Sequence, residues 1–273
     1  MRLISTLAFG FLALTSALAR PSTFVERAVR RGRPALPAAS LAEQKPSPVS
    51  AASSAHPTTR SSNWAGVVLP SPPQGENFTV VQGTFAVPAL APSSYAAASI
   101  WVGVDGWQQS ADAQGLFQAG VDCWVEDGET TYDAWYEWVP DGSYNFTGFA
   151  VSAGDVLTYR LVAASEREGT IYVENETTGE AVTRLLAAPP LANSQLALQS
   201  VEWIMEDFFW YGQVPLANFG SIHFTNTSAK TGAGTTVGLS NATIIDLVLS
   251  GDDEPRTATT IDSDSSATIS YVS

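Results

Sequence analysis

From residue 61 onward the chain alternates apolar and polar side chains with a period of two, in short runs. The clearest are F-T-V-V-Q-G-T-F-A-V (78–87), S-I-W-V-G-V (99–104), L-F-Q-A-G-V-D (116–122), Y-D-A-W-Y-E-W (132–138), V-L-T-Y-R-L-V-A (156–163), G-T-I-Y-V-E-N (169–175), V-E-W-I-M-E-D-F (201–208), S-I-H-F-T (221–225) and A-T-I-S-Y-V (267–272). A period of two puts successive side chains on opposite faces of a strand. Between the runs lie P-D-G-S, E-D-G-E, T-T-G-E and G-D-D-E, whose Asp and Gly suit tight turns. Short strands in regular succession predict an all-β fold, a sandwich or barrel. A helical period surfaces only around A-V-T-R-L-L-A-A (181–188), and weakly.

Splitting the strands by face is informative. Ile100, Val102 and Val104 share one face, and Ser99, Trp101, Gly103 and Asp105 the other. Phe117, Ala119 and Val121 oppose Leu116, Gln118, Gly120 and Asp122. Asp133, Trp135 and Glu137 oppose Tyr132, Ala134, Tyr136 and Trp138. Glu202, Ile204, Glu206 and Phe208 oppose Val201, Trp203, Met205 and Asp207. One face of each strand is therefore apolar, and the other mixes carboxylate, amide and tryptophan without a cation. Such a face suits a concave substrate cleft, since sites are aromatic-lined with a few placed polar groups. The plainer reading is a partly covered sheet decorated with Trp and Glu.

Residues 1–60 differ in kind. Arg2, an apolar stretch and Ala17-Leu18-Ala19 read as a signal peptide over 1–19, and no later apolar run is long enough to span a bilayer. Residues 20–60 are rich in Pro, Ala, Ser and Arg, a composition that builds no core. Residues 1–60 hold 8 Lys+Arg and 2 Asp+Glu of the chain's 13 and 27, which leaves the remainder at net −20. A basic arm before an acidic body suggests a propeptide, with a mature domain over 61–273; a plain linker has the same composition. The acidity argues against nucleic acid and anionic membranes as partners. Cys123 is the only cysteine, so no intrachain disulfide or cysteine-rich zinc site can form, and a buried, inert thiol is expected. Five N-x-S/T sequons, at Asn77, Asn145, Asn175, Asn226 and Asn241, mark candidate glycosylation sites on exposed turns of a secreted chain.

The chemistry open to this body is narrow. His223 is its one histidine and no G-x-S-x-G accompanies it, so a serine triad is not expected. H-E-x-x-H, the P-loop and the Rossmann fingerprint are missing, and no metal or other cofactor is expected. Carboxylate and amide chemistry is left. A carboxylate in an apolar groove can act as general acid or base, and a pair such as Glu137 and Glu206 could instead cut a glycosidic bond. A lectin-like module without catalysis fits the same pattern.

Five ordered motifs carry a resemblance: S-S-N-W-A-G (61–66), W-V-G-V-D-G (101–106), L-F-Q-A-G-V-D (116–122), Y-D-A-W-Y-E-W (132–138) and E-W-I-M-E-D-F (202–208). Together they resemble the fungal glutamic peptidases, the eqolisins. The resemblance implies two antiparallel sheets in a jelly-roll-like sandwich, with the active site on a concave face. It implies an acid endopeptidase whose substrates are proteins and peptides. The signal peptide predicts secretion, the charge contrast between arm and body predicts that the propeptide is an electrostatic inhibitor, and a monomer is expected. By motif position Gln118 and Glu206 match the catalytic pair, while Trp101, Asp133 and Glu137 are similar to cleft-lining residues that bind substrate. Family members often carry disulfides, which this chain lacks.

Overall fold

The computed structural model describes residues 56–209 and 214–273. The expected signal peptide and nearly all of the basic arm lie outside these residues. Sixteen strands follow in chain order. They are β1 (Thr58–Ser61), β2 (Trp64–Leu69), β3 (Phe78–Ala86), β4 (Tyr95–Val104), β5 (Leu116–Glu126) and β6 (Glu129–Val139). Then come β7 (Tyr144–Asn145), β8 (Val156–Ser165), β9 (Glu168–Asn175), β10 (Glu180–Ala187) and β11 (Val201–Glu206). The last are β12 (Ser221–Thr231), β13 (Thr236–Val237), β14 (Thr243–Leu247), β15 (Thr257–Ser263) and β16 (Ser266–Tyr271). Among the described residues the only helix is a single 3-10 turn, Leu239–Asn241.

The strands form two eight-stranded sheets. The first has the order β1-β14-β2-β11-β4-β5-β6-β7; the second runs β10-β9-β8-β3-β12-β16-β15, with β13 beside β12. Every pairing is antiparallel except β1 with β14. The expected all-β sandwich is therefore present, and it extends to Thr58, across the expected boundary at residue 60. Turn chemistry fixes the hairpins. Asp127 and Gly128 between β5 and β6 both have positive φ, 52° and 81°, which is the backbone a two-residue hairpin requires.

The core lies between the sheets. Val67, Ile100, Val102, Phe117, Val121, Trp203 and Met205 of the first sheet meet Phe85, Tyr159, Leu161, Phe224 and Ile269 of the second. Two contacts fix the depth of the interface. The Trp203 indole lies where a Cβ on Gly83 would be, at 2.6 Å, and its Nε1 donates to the Gln82 carbonyl. The Tyr159 hydroxyl donates across the sandwich to the Gly120 carbonyl at 2.9 Å. Cys123 is fully buried in this core, where burial pushes its thiol pKa well above the ordinary range; an un-ionised thiol is inert.

Two expectations are corrected. The weak helical period at 181–188 lies on β10, an edge strand with alternating exposure. Val182 and Leu186, four residues apart, fit either period, but they reach the core as the inward face of a strand. Asn175 is no exposed sequon. It is fully buried, its Nδ2 donates to Asp155 Oδ2, and its Oδ1 accepts from the Thr177 and Thr178 N–H groups. Its amide caps the β9–β10 turn and has no room for a glycan. Asn77, Asn226 and Asn241 are exposed and Asn145 is half-buried.

Candidate active site

The face of the first sheet turned away from the core is laid out by its register. Three rows of side chains cross β2, β11, β4, β5 and β6 in turn. The first row is Trp64, Glu206, Ser99, Asp122 and Asp133. The second is Gly66, Ile204, Trp101, Gly120 and Trp135. The third is Val68, Glu202, Gly103, Gln118 and Glu137. The faces read from alternation are therefore correct, residue by residue, on all four strands.

The middle row is apolar and the flanking rows carry the carboxylates. Trp64, Val68, Trp101, Leu116, Trp135, Val139, Ile204 and Ile245 form a second apolar cluster on this face. Trp101 stands edge-on to Trp64, with ring centroids 4.8 Å apart. From the middle row, Trp101 Nε1 donates to Glu206 Oε2 at 2.9 Å. This N–H favours the ionised form of the carboxylate it meets. In the third row Gln118 Nε2 donates to Glu137 Oε2 at 2.6 Å. In the first row Ser99 Oγ donates to Asp122 Oδ1 at 2.7 Å, and Asp133 stands opposite Asp122. Gln118, Glu137, Glu202 and Glu206 are all buried.

Two acids support the site. Asp105, just past β4, adopts a φ of 67° and accepts the backbone N–H groups of Leu198, Gln199 and Ser200 at 2.7, 2.8 and 3.1 Å. It thereby ties the approach to β11 against the end of β4. Burial pushes its pKa up, and those N–H groups pull it part of the way back. Glu202 is fully buried, and neither of its oxygens makes a hydrogen bond of good geometry, although Ser200 lies close. Burial first, and then the Asp105 charge, raise its pKa well above the ordinary glutamate range. Among the described residues, no group of three or more His, Cys, Asp or Glu could hold a metal ion. His223 lies in the second sheet, exposed and hydrogen-bonded to Thr268, so it takes no part in this face.

The model of a family described as Peptidase A4 matches residues 62–271, almost the whole two-sheet body. The chain belongs to the peptidase A4 family. It is 37% identical to aspergillopepsin-2 of Aspergillus niger, over 98% of this chain and 99% of that one. It is 34% identical to scytalidopepsin B of Scytalidium lignicola, over 71% of this chain and 73% of that protein. Among solved structures, it is similar to scytalido-glutamic peptidase with a transition state analog inhibitor, with a TM-score of 0.66 and 33% identity over 77% of this chain and 98% of that one. It is also similar to aspergilloglutamic peptidase from Aspergillus niger, with a TM-score of 0.58 and 41% identity over 65% and 99% of the two chains. This peptidase A4 protein is thus a hydrolase of the glutamic peptidase type.

All five site residues expected from the sequence, Trp101, Gln118, Asp133, Glu137 and Glu206, share this one face of the A4 fold. The structure pairs Trp101 with Glu206, and Gln118 with Glu137. Asp133 falls in the first row, away from Glu137. Sequence reasoning passed over the Ser99–Asp122 pair and Trp64 as parts of the site. Alternation already placed Ser99 and Asp122 on the right face, but nothing in the sequence gave the register that brings them together.

Proposed function

We propose that this chain is a secreted acid endopeptidase in which Glu206 and Gln118 activate and orient a water molecule. The observation that carries the reading is that both residues share one face of the first sheet, with Glu206 held by an N–H from the row between them. Gln118 lies two strands across and two pleat rows along from Glu206, about 10 Å by 13 Å in a flat sheet, or roughly 16 Å between Cα atoms. Each extended side chain reaches about 5 Å from its Cα. Bonds to Trp101 and Glu137 fix the directions of Glu206 and Gln118 on this face. Midway along that diagonal, on β4 in the middle row, stands Trp101, whose indole N–H meets Glu206.

In this mechanism ionised Glu206 takes a proton from the water, which attacks the scissile carbonyl. One Gln118 N–H stays on Glu137, and the other donates to the developing oxyanion. Glu206 then returns the proton to the leaving amine. A carboxylate base that accepts an N–H suits acid, where a histidine base would be protonated. Trp101, Asp133 and Glu137 line the substrate path. Residues 1–19 direct export, and the basic arm between them and β1 masks the acidic face near neutral pH. Acidification neutralises the carboxylates and releases the arm.

The test offers acid-denatured protein and a soluble glucan to the purified enzyme at acidic pH, with an inhibitor of pepsin-like enzymes present. The expected result is new peptide termini with the glucan intact. Reducing sugar without peptide cleavage would favour the paired-carboxylate glycosidase instead.

A further inference from the structure

The third row of the candidate site holds three acceptor oxygens without a hydrogen-bond partner. They are both carboxyl oxygens of Glu202 and Oε1 of Gln118, all buried. Only one strand separates the two residues, and its residue in this row is Gly103. A Cβ on Gly103 would lie 2.8 Å from Glu202 Oε1. Trp101 Cζ3 lies at the same 2.8 Å and Leu116 Cδ1 at 3.2 Å, so the Glu202 carboxyl shares the space over the glycine with these two side chains. An ionised carboxylate and an amide oxygen are both acceptors and cannot satisfy each other. A proton on Glu202 supplies the donor that such a pair lacks.

We propose that Glu202 is a positioning residue that carries a proton and donates it to Gln118 Oε1. The inference rests on the reading of Gln118 as the oxyanion donor. With Glu202 on its oxygen and Glu137 on one hydrogen of its nitrogen, the amide is fixed in one orientation. Its remaining N–H is then the one turned to substrate. An ionised Glu202 would attract the amide nitrogen instead and turn the group over. The groups that face Glu202 together favour the neutral form. Asp105 at the end of β4 repels a second negative charge, as does any ionised form of Glu137 beyond Gln118. Val68 on β2 offers no charge, and the buried Ser200 hydroxyl favours the ionised form, but less than burial and Asp105 oppose it. Its raised pKa, from burial and from Asp105, points the same way.

Two arms test this on the active enzyme. Infrared difference spectra near neutral pH, wild type against Glu202→Gln, should contain the C=O band of a protonated carboxyl that the variant loses. In kinetics, Glu202→Gln should hold kcat within about threefold, because its amide also donates, and should extend activity to higher pH, because that amide never ionises. Glu202→Leu should lower kcat about tenfold with KM unchanged, the scale of one lost hydrogen bond, and should not lower Tm. A Glu202→Gln pH profile that overlays the wild type, or wild-type kcat in Glu202→Leu, overturns the proposal. A missing infrared band overturns it without touching the Glu206–Gln118 pair. Wild-type kcat in Gln118→Ala overturns the pair without touching the band.

Discussion

Replacing Trp101 by Phe removes one atom group that the proposed chemistry needs, the Nε1–H on Glu206 Oε2 at 2.9 Å. Phe keeps an aromatic edge against Trp64, so most of the packing survives. A hydrogen bond to a charged group contributes about 1.5–3 kcal/mol. The protonated carboxyl also accepts this N–H, with about 0.5–1.5 kcal/mol, so only the difference favours ionised Glu206. That difference is about 1–1.5 kcal/mol, and at 1.4 kcal/mol per factor of ten the ionised fraction at low pH should fall about 5- to 10-fold. The sign is definite. The N–H favours the anion, its loss favours protonation, and the acid limb of the rate profile moves to higher pH. Well above that limb Glu206 is ionised in either protein, and the variant should approach wild-type activity. The assay is kcat/KM on one peptide substrate across pH, with circular dichroism and Tm on the same samples. A loss of equal size at every pH would mean that Trp101 only shapes the cleft. No loss on the acid side would refute the role of its N–H.

Other consequences are as direct. Gln118→Ala should lower kcat by about 10²–10³, as loss of one oxyanion donor does; a raised KM with unchanged kcat would reduce Gln118 to a binding residue. Asp105, Glu202 and Asp246 all have raised pKa values, chiefly through burial. Above pH ~4 the folded state then binds more protons than the unfolded state, so these groups make stability fall as pH rises. Calorimetry should accordingly give a higher Tm at pH 4 than at pH 7, and a Tm that climbs over that interval contradicts it. A synthetic 20–57 peptide should inhibit the mature enzyme near neutral pH, less in acid or high salt, and less again with Arg27, Arg30, Arg31 and Arg33 replaced by Gln. Cys123 should resist thiol reagents until the protein unfolds; rapid labelling of the native enzyme would show that the core opens there.

Much of this face was legible because β-structure has a simple period. On β4, β5, β6 and β11, alternation assigned every outward residue, and the outer rows assemble without a misplaced side chain. A strand pattern cannot show which residues on neighbouring strands stand opposite one another. The pairing of Gln118 with Glu137, and the Glu202 carboxyl over Gly103, depend on register that no single strand encodes. At Asn175 the sequon was correct as a string, but the same amide that accepts a glycan also caps a tight turn, and burial settles the competition. The strand β10 misled because Val182 and Leu186 fit both periods, and only pairing with β9 decides between them.

The central claim is that Glu206 is the general base. Glu206→Gln keeps the shape of the side chain and a hydrogen-bonding group for Trp101, and removes only the base. Its rate on acid-denatured protein should be compared with wild type and with Asp207→Asn, a change at the adjacent buried carboxyl. The expected result is a folded Glu206→Gln protein, with Tm near wild type, whose cleavage is at background, beside an active Asp207→Asn. Cleavage by Glu206→Gln at the wild-type rate would contradict the account.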